Sequence, residues 1–205
     1  MKKTAVLLDL GFVLQKLRDL LGRYPTAIEI HEFAHRAISA DEELFRIYCY
    51  HCPPYDGTET HPMTRAAINF AATPIHRAMT QFIKDLKLTD NVAFRSGEMS
   101  FDGWLIKKQA ARDIIRTGRA LRPDDFAPDL NQKGIDVKIG LDVAWLASKN
   151  IVERIILVAA DSDFIPAMKF ARREGVQVVL VTLGHAQTKR ELKEHADELR
   201  TVTYP

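Results

Sequence analysis

Ile155-Ile156-Leu157-Val158-Ala159-Ala160 runs without a polar residue into Asp161-Ser162-Asp163, and Phe164-Ile165-Pro166 follows at once. An unbroken apolar run rich in β-branched residues reads as a strand buried on both faces, and the Ser/Asp turn with Pro166 behind it opens a helix. Ligands of an open parallel sheet gather outside the carboxyl ends of its strands, so Asp161 and Asp163 stand where chemistry is usually done. Working outward, the apolar run 4–8 also ends in an acid, Asp9, with Gly11 just beyond it. A third acid, Asp136, lies in Lys133-Gly134-Ile135-Asp136-Val137, where an apolar helical pattern begins. The expectation is that Asp9, Asp136, Asp161 and Asp163 meet in one cleft and hold a divalent metal.

The rest of the chain fits alternating strands and helices. Behind Asp9, residues Phe12, Leu14, Leu17, Leu20 and Leu21 recur at helical spacing until Gly22 and Pro25 stop them. Thr26-Ala27-Ile28-Glu29 has the form of a capping box, with a helix to about Ser39. Residues 44–50 read as a strand, 52–62 as a polar loop, and 63–88 as helical, interrupted at Pro74. A short strand is expected over 92–95, a helix over 104–121, and an exposed loop over 122–131, where Pro and Asp are dense. The helix over 133–150 is given an apolar stripe of Val137, Leu141, Ala144 and Trp145. Residues 176–183 form another buried strand, followed by a charged helix from about Thr188 to Leu199 and a tail strand at Val202. Runs 4–8, 155–160 and 176–183 are expected as adjacent parallel strands, the first in the middle, in a single α/β domain over 1–205 with helices on both faces.

Composition narrows the class. The 205 residues are 46% hydrophobic and 27% charged, enough for a substantial core without staples. No apolar stretch approaches the ~20 residues that span a bilayer, and the short run after Met1-Lys2-Lys3 has no cleavage pattern, so neither a membrane partner nor a signal peptide is expected. Two cysteines suggest a reducing cytoplasm. A net charge of +2 is too small to identify a nucleic-acid partner, so any electrostatic footprint must be local.

Asp9-Leu10-Gly11-Phe12, Lys133-Gly134-Ile135-Asp136 and Ala160-Asp161-Ser162-Asp163-Phe164-Ile165-Pro166 together resemble the motifs of the NYN domain, in the LabA-like branch of the PIN-like nuclease superfamily. The resemblance spans nearly the whole chain. It implies a PIN-like parallel sheet, a carboxylate cluster at the strand ends, and a Mg²⁺- or Mn²⁺-dependent ribonuclease activity on RNA, single-stranded in the first instance. Many relatives carry Asn three residues after the first Asp, where this chain has Phe12. A homodimer is compatible with these features.

Each candidate residue also has a plainer reading. Mg²⁺ is commonly held by one or two carboxylates with several waters, which suits acids from separate elements. Yet Asp163 or Ser162 could cap the next helix, and Asp136 could serve as a first-turn partner of the helix dipole. Asp142, six residues past Asp136, is roughly 120° round a helix and is ranked with Ser162 as supporting the site from behind. Lys108, Arg112, Arg116 and Arg119 share one helix face and, with Lys133 and Lys138, could contact a phosphate backbone; the alternative is an ordinary solvated face. Cys49 and Cys52 are read as buried thiols, because zinc sites usually need four ligands and His61 supplies only a third. Tyr48, Tyr50 and Tyr55 could stack bases or simply pack a strand. Besides cleavage, two other readings stand: a catalytically weak binding or regulatory module on the same fold, and a phosphatase-like hydrolase, which Asp9-Leu10-Gly11 opposes by lacking a second acid two residues on.

Overall fold

Strand β1 (Lys2–Asp9) has no polar face, and in the computed structural model, which describes residues 1–184 and 190–204, positions 4 to 8 are all buried. Ala5 and Leu7 join one core cluster, Val6 and Leu8 the other, because successive side chains of a strand point to opposite faces. Helices must therefore cover both sides. α1 (Leu10–Leu21) and α2 (Ala27–Arg36) pack on the Val6/Leu8 side. Gly22, in the left-handed conformation at φ 71°, ends α1, and the Thr26/Glu29 capping box opens α2.

β2 (Glu42–His51) pairs parallel with β1, and after two short strands, β3 (Thr58–Thr60) and β4 (Ala67–Asn69), comes α3 (Pro74–Lys87). β5 (Val92–Ser96) is the outer parallel partner of β2. β6 (Glu98–Ile106), α4 (Lys108–Thr117) and β7 (Phe126–Lys133) lead into α5 (Ile135–Ser148). The fold closes with β8 (Arg154–Val158), α6 (Ile165–Arg173), β9 (Gln177–Val181), α7 (Arg190–Glu194) and β10 (Glu198–Leu199). The central sheet is parallel throughout, in the order β10-β9-β8-β1-β2-β5. The three apolar runs are adjacent as expected; β1 and β8 are the innermost pair, and β8 lies between the other two runs.

Several local expectations give way. Pro74 does not break a long helix but starts one: it occupies the first turn of α3, Thr73 accepts the cap bond from His76, and residues 67–69 are strand instead of helix. Residues 104–106 belong to β6, so the helix begins only at Lys108. The stretch 126–131 is no loop; it pairs antiparallel with β6, Phe101 opposite Leu130 and Ile106 opposite Phe126. The period-two alternation Met99-Ser100-Phe101-Asp102 was the available signal, hidden by Asp102-Gly103, which imitates a turn but makes an irregularity in the ladder. On α5 the buried side is Ile135, Ile139, Val143, Leu146 and Ala147, while Val137, Leu141 and Trp145 are 65%, 63% and 49% exposed. That helix is apolar nearly all round, so periodicity could not decide which stripe faces the core. The tail strand is Glu198–Leu199 and not Val202; the expected start of the preceding helix near Thr188 lies outside the described residues. Cys49 and Cys52 are buried free thiols. Among the described residues no helix is long and apolar enough to cross a membrane.

Candidate active site

Asp9, the last residue of β1, caps α1: its Oδ1 accepts hydrogen bonds from the backbone N–H groups of Gly11 (3.0 Å) and Phe12 (3.4 Å). Asp161 repeats the arrangement after β8, accepting from the Asp163 N–H at 3.0 Å, with Ser162 and Asp163 in the single 3-10 turn that leads into α6. Asp136 sits in the first turn of α5, reached through Gly134, whose φ of 80° a side chain would resist. All three come to the carboxyl end of the sheet on the face covered by α5, the side of Ala5, Leu7, Ile155, Leu157 and Ala159.

Their charges feel one another. Burial pushes the Asp9 carboxyl up to about 6, opposed by the Phe12 and Gly11 N–H groups and reinforced by Asp136 and Asp161. Asp136 is raised by burial, then by Asp161 and Asp163. Asp136 and Asp161 are thus near enough to raise Asp9, and Asp161 and Asp163 near enough to raise Asp136. Among the described residues, however, no group of three or more His, Cys, Asp or Glu is drawn close enough to hold an ion by protein ligands alone.

Asp142 is turned away from this cluster. It forms a bidentate pair with Arg95 at 2.9 and 3.1 Å and accepts the Tyr50 hydroxyl at 2.8 Å. Asp9, Tyr50 and Arg95 are mutual register partners on β1, β2 and β5, which places Arg95 two strands, or ~10 Å, from Asp9. Lys138 donates to the Ser96 carbonyl and, with Arg95, Leu141 and Asp142, lines a hollow of about 330 Å³ beside α5. Arg95 carried no sequence signal, since its role depends on the pairing of β5.

Two further residues come into view only in three dimensions. Gln132, near the end of β7, lays its amide against Gly11: a Cβ there would be 3.2 Å from Asp9 Oδ1 and 3.4 Å from Gln132 Nε2. His51 ends β2, buried, its Nδ1 without a hydrogen-bond partner among the described residues; burial lowers it to about 4, so it is neutral at physiological pH. His61 is structural instead, with Nδ1 accepting from the Met63 and Thr64 N–H groups and the ring beside Trp104 and Phe126.

The basic residues divide. Lys133 stands at the acid end of the β6–β7 ribbon, 3.5 Å from Asp102. Lys108, Arg112 and Arg116 are exposed on α4, beyond the far end of that ribbon and so on the order of 25 Å along it from Lys133. Arg116 is paired with Asp113 at 2.6 Å. Arg119 is not on the helix face: it lies past Gly118, half-buried, bridging Asp113 and Asp125 and holding Asp125 down to about 2.

The family model of the NYN domain matches residues 107–203, a segment that holds Asp136, Asp161 and Asp163 but not Asp9. No curated protein matches the chain. Among solved structures, a protein of unknown function from Vibrio parahaemolyticus is similar over 98% of this chain and 93% of its own, with a TM-score of 0.52 and 17% identity, a likeness that speaks for the fold alone. The NYN match thus runs from α4 to β10, a little under half of the chain, and the all-parallel central sheet flanked by helices is consistent with a PIN-like fold.

Proposed function

We propose that the chain hydrolyses RNA phosphodiester bonds with Mg²⁺ or Mn²⁺ held at Asp9, Asp136, Asp161 and Asp163. The observation that supports this reading is geometric: Asp9 ends β1, Asp161 follows the neighbouring parallel strand β8, and Asp136 lies in the first turn of α5, which packs on the same face of the sheet. Their hard oxygens fit such ions, which keep several waters and need only one or two carboxylates plus substrate phosphate. When bound, a divalent ion supplies a nucleophilic water near neutral pH and a clamp for developing charge. Asp9 offers Oδ2, the oxygen not engaged by the Gly11 and Phe12 N–H groups. The Gln132 amide beside it, the Lys133 and Lys138 ammoniums, and the Arg95 guanidinium two strands away suit successive phosphates of a single strand. Assignment of the whole of 1–205 to one NYN unit, and to the LabA-like branch through Gly11-Phe12, belongs to the same proposal.

Replacement of Asp161 by Asn is expected to lower Mn²⁺-dependent cleavage of single-stranded RNA by more than ~100-fold, beyond the usual 10–100-fold cost of disturbing an outer partner. Equal cleavage by the two proteins, with contaminating ribonuclease excluded, overturns the assignment. The loose spacing of the acids favours a second reading, a binding module that does not turn over. Wild type that binds RNA and Mn²⁺ but cleaves nothing would establish it.

Lys108 and Arg112 give a separate test. If RNA extends along the β6–β7 ribbon to α4, Lys108→Ala plus Arg112→Ala weakens binding of all sequences alike and lowers the salt slope by about 1 for each phosphate that is no longer neutralised. Unchanged affinity and slope would mark α4 as a merely solvated face.

A further inference from the structure

His31 and His35 lie four residues apart on α2, one half-buried and one exposed, across the sheet from the acids. That spacing stacks two side chains on one helix face. Here the rings meet edge to face, centroids 4.4 Å apart, and the two Nε2 atoms face each other at 3.1 Å. In the metal-free protein this contact is an N–H···N hydrogen bond, which already holds both nitrogens on the same side of the helix. Two imidazole nitrogens ~2.05 Å from a shared Zn²⁺ would stand 3.1 Å apart at an N–Zn–N angle of about 98°, between the right angle and the tetrahedral value. A cation could therefore replace the shared proton at an unchanged N···N distance, each ring turning so that its lone pair points at the ion.

We propose that His31 and His35 form a two-nitrogen site for a divalent transition-metal ion of the Zn²⁺ class, separate from the acid cluster, with its remaining positions open to water. The intervening residues complete the spelling His31-Glu32-Phe33-Ala34-His35, the pattern of helical zinc sites in which Glu acts as a base. Phe33 and Ala34 face the core, as the spacing requires. Glu32, however, accepts the Tyr204 hydroxyl at 3.4 Å, and no third protein ligand joins the pair among the described residues. The site is thus an exchangeable surface position and not a hydrolytic centre. Ligand chemistry separates it from the cleft: imidazole suits Zn²⁺, Ni²⁺ and Cu²⁺, whereas carboxylates with water suit Mg²⁺ and Mn²⁺.

The test is calorimetric titration of the tag-free chain with Zn²⁺ in excess Mg²⁺, repeated on His35→Ala, His35→Gln, the double variant His31→Ala/His35→Ala, and Asp9→Asn. Wild type and Asp9→Asn should each take up one ion with the same affinity. Either single His variant should bind at least about tenfold more weakly, equivalent to 1.4 kcal/mol, and the double variant should lose the site. Circular dichroism melts should be shared by all the His variants, since both rings lie on the outer face of α2. Uptake by the double variant equal to wild type, loss of uptake in Asp9→Asn, or no uptake by wild type at tenfold excess of ion would each overturn the proposal. None of these outcomes depends on whether the chain cleaves RNA.

Discussion

Asp9→Asn is expected to melt higher than wild type in chelator at pH 8, and the advantage should fade as the pH is lowered to 4. The folded-state carboxyl titrates at about 6 against an ordinary 3.8. A raised carboxyl contributes stability that is fully present below 3.8 and lost as pH rises through 6. At pH 8 the ionised group therefore opposes folding by up to about 3 kcal/mol, at 1.36 kcal/mol per unit. Asn removes the charge yet keeps an oxygen for the Gly11 and Phe12 N–H groups, so the cap of α1 survives. For a chain of this size, each kcal/mol corresponds to roughly 2–4 °C in Tm. Saturating Mn²⁺ should raise the wild-type Tm and leave the variant unmoved, because a ligand stabilises only the state that binds it. A lower Tm for Asp9→Asn at both pH values would mean that the carboxylate serves the helix alone.

The second large effect lies at the opposite end of the sheet. The Glu42 side chain is fully buried between Arg154 and Arg200, which are 9% and 11% exposed. It accepts from Arg200 at 2.9 and 3.0 Å, from the Ser39 N–H at 2.7 Å, and from Arg154. Arg154 also binds Gln177 on β9, and Arg200 binds the Ala37 carbonyl and Glu198, so one carboxylate ties β2, β8 and β10 together. Glu42→Gln leaves two nearly buried guanidiniums without their shared counter-charge, at an expected cost of about 3–5 kcal/mol in denaturant unfolding. Burial alone would raise the Glu42 carboxyl, but its hydrogen bonds from Arg200 and Arg154 outweigh burial and hold it lower. Its contribution is therefore complete above the ordinary glutamate value and lost as pH falls through the depressed one. The wild-type advantage over Glu42→Gln should shrink in acid; a constant difference down to pH 3 would contradict this account.

The two predictions differ in how far they could be read from the chain. β1, β8 and β9 were legible because a strand buried on both faces has to be apolar at every position, and a carboxylate that breaks such a run marks the strand's end. Asp9 and Asp161 were found on that basis, and the Thr26/Glu29 capping box of α2 on its own, since it depends only on residues within a few positions along the chain. Tertiary structure decided what depends on partners distant in sequence. Pro128, Asp124 and Asp125 argue locally for a loop, yet β7 is held as a strand by pairing with β6, and Asp125 is buried under Arg119. α5 offers apolar residues on every side, so only its seat on the sheet selected Ile139 and Val143 over Leu141 and Trp145. The order of strands placed Arg95 beside Asp142, and Arg200 against Glu42, 158 residues away in sequence. A residue's period and its caps are properties of the local chain; the partner that neutralises a buried charge is a property of the fold, because the desolvation that makes the charge costly exists only once the chain has closed around it.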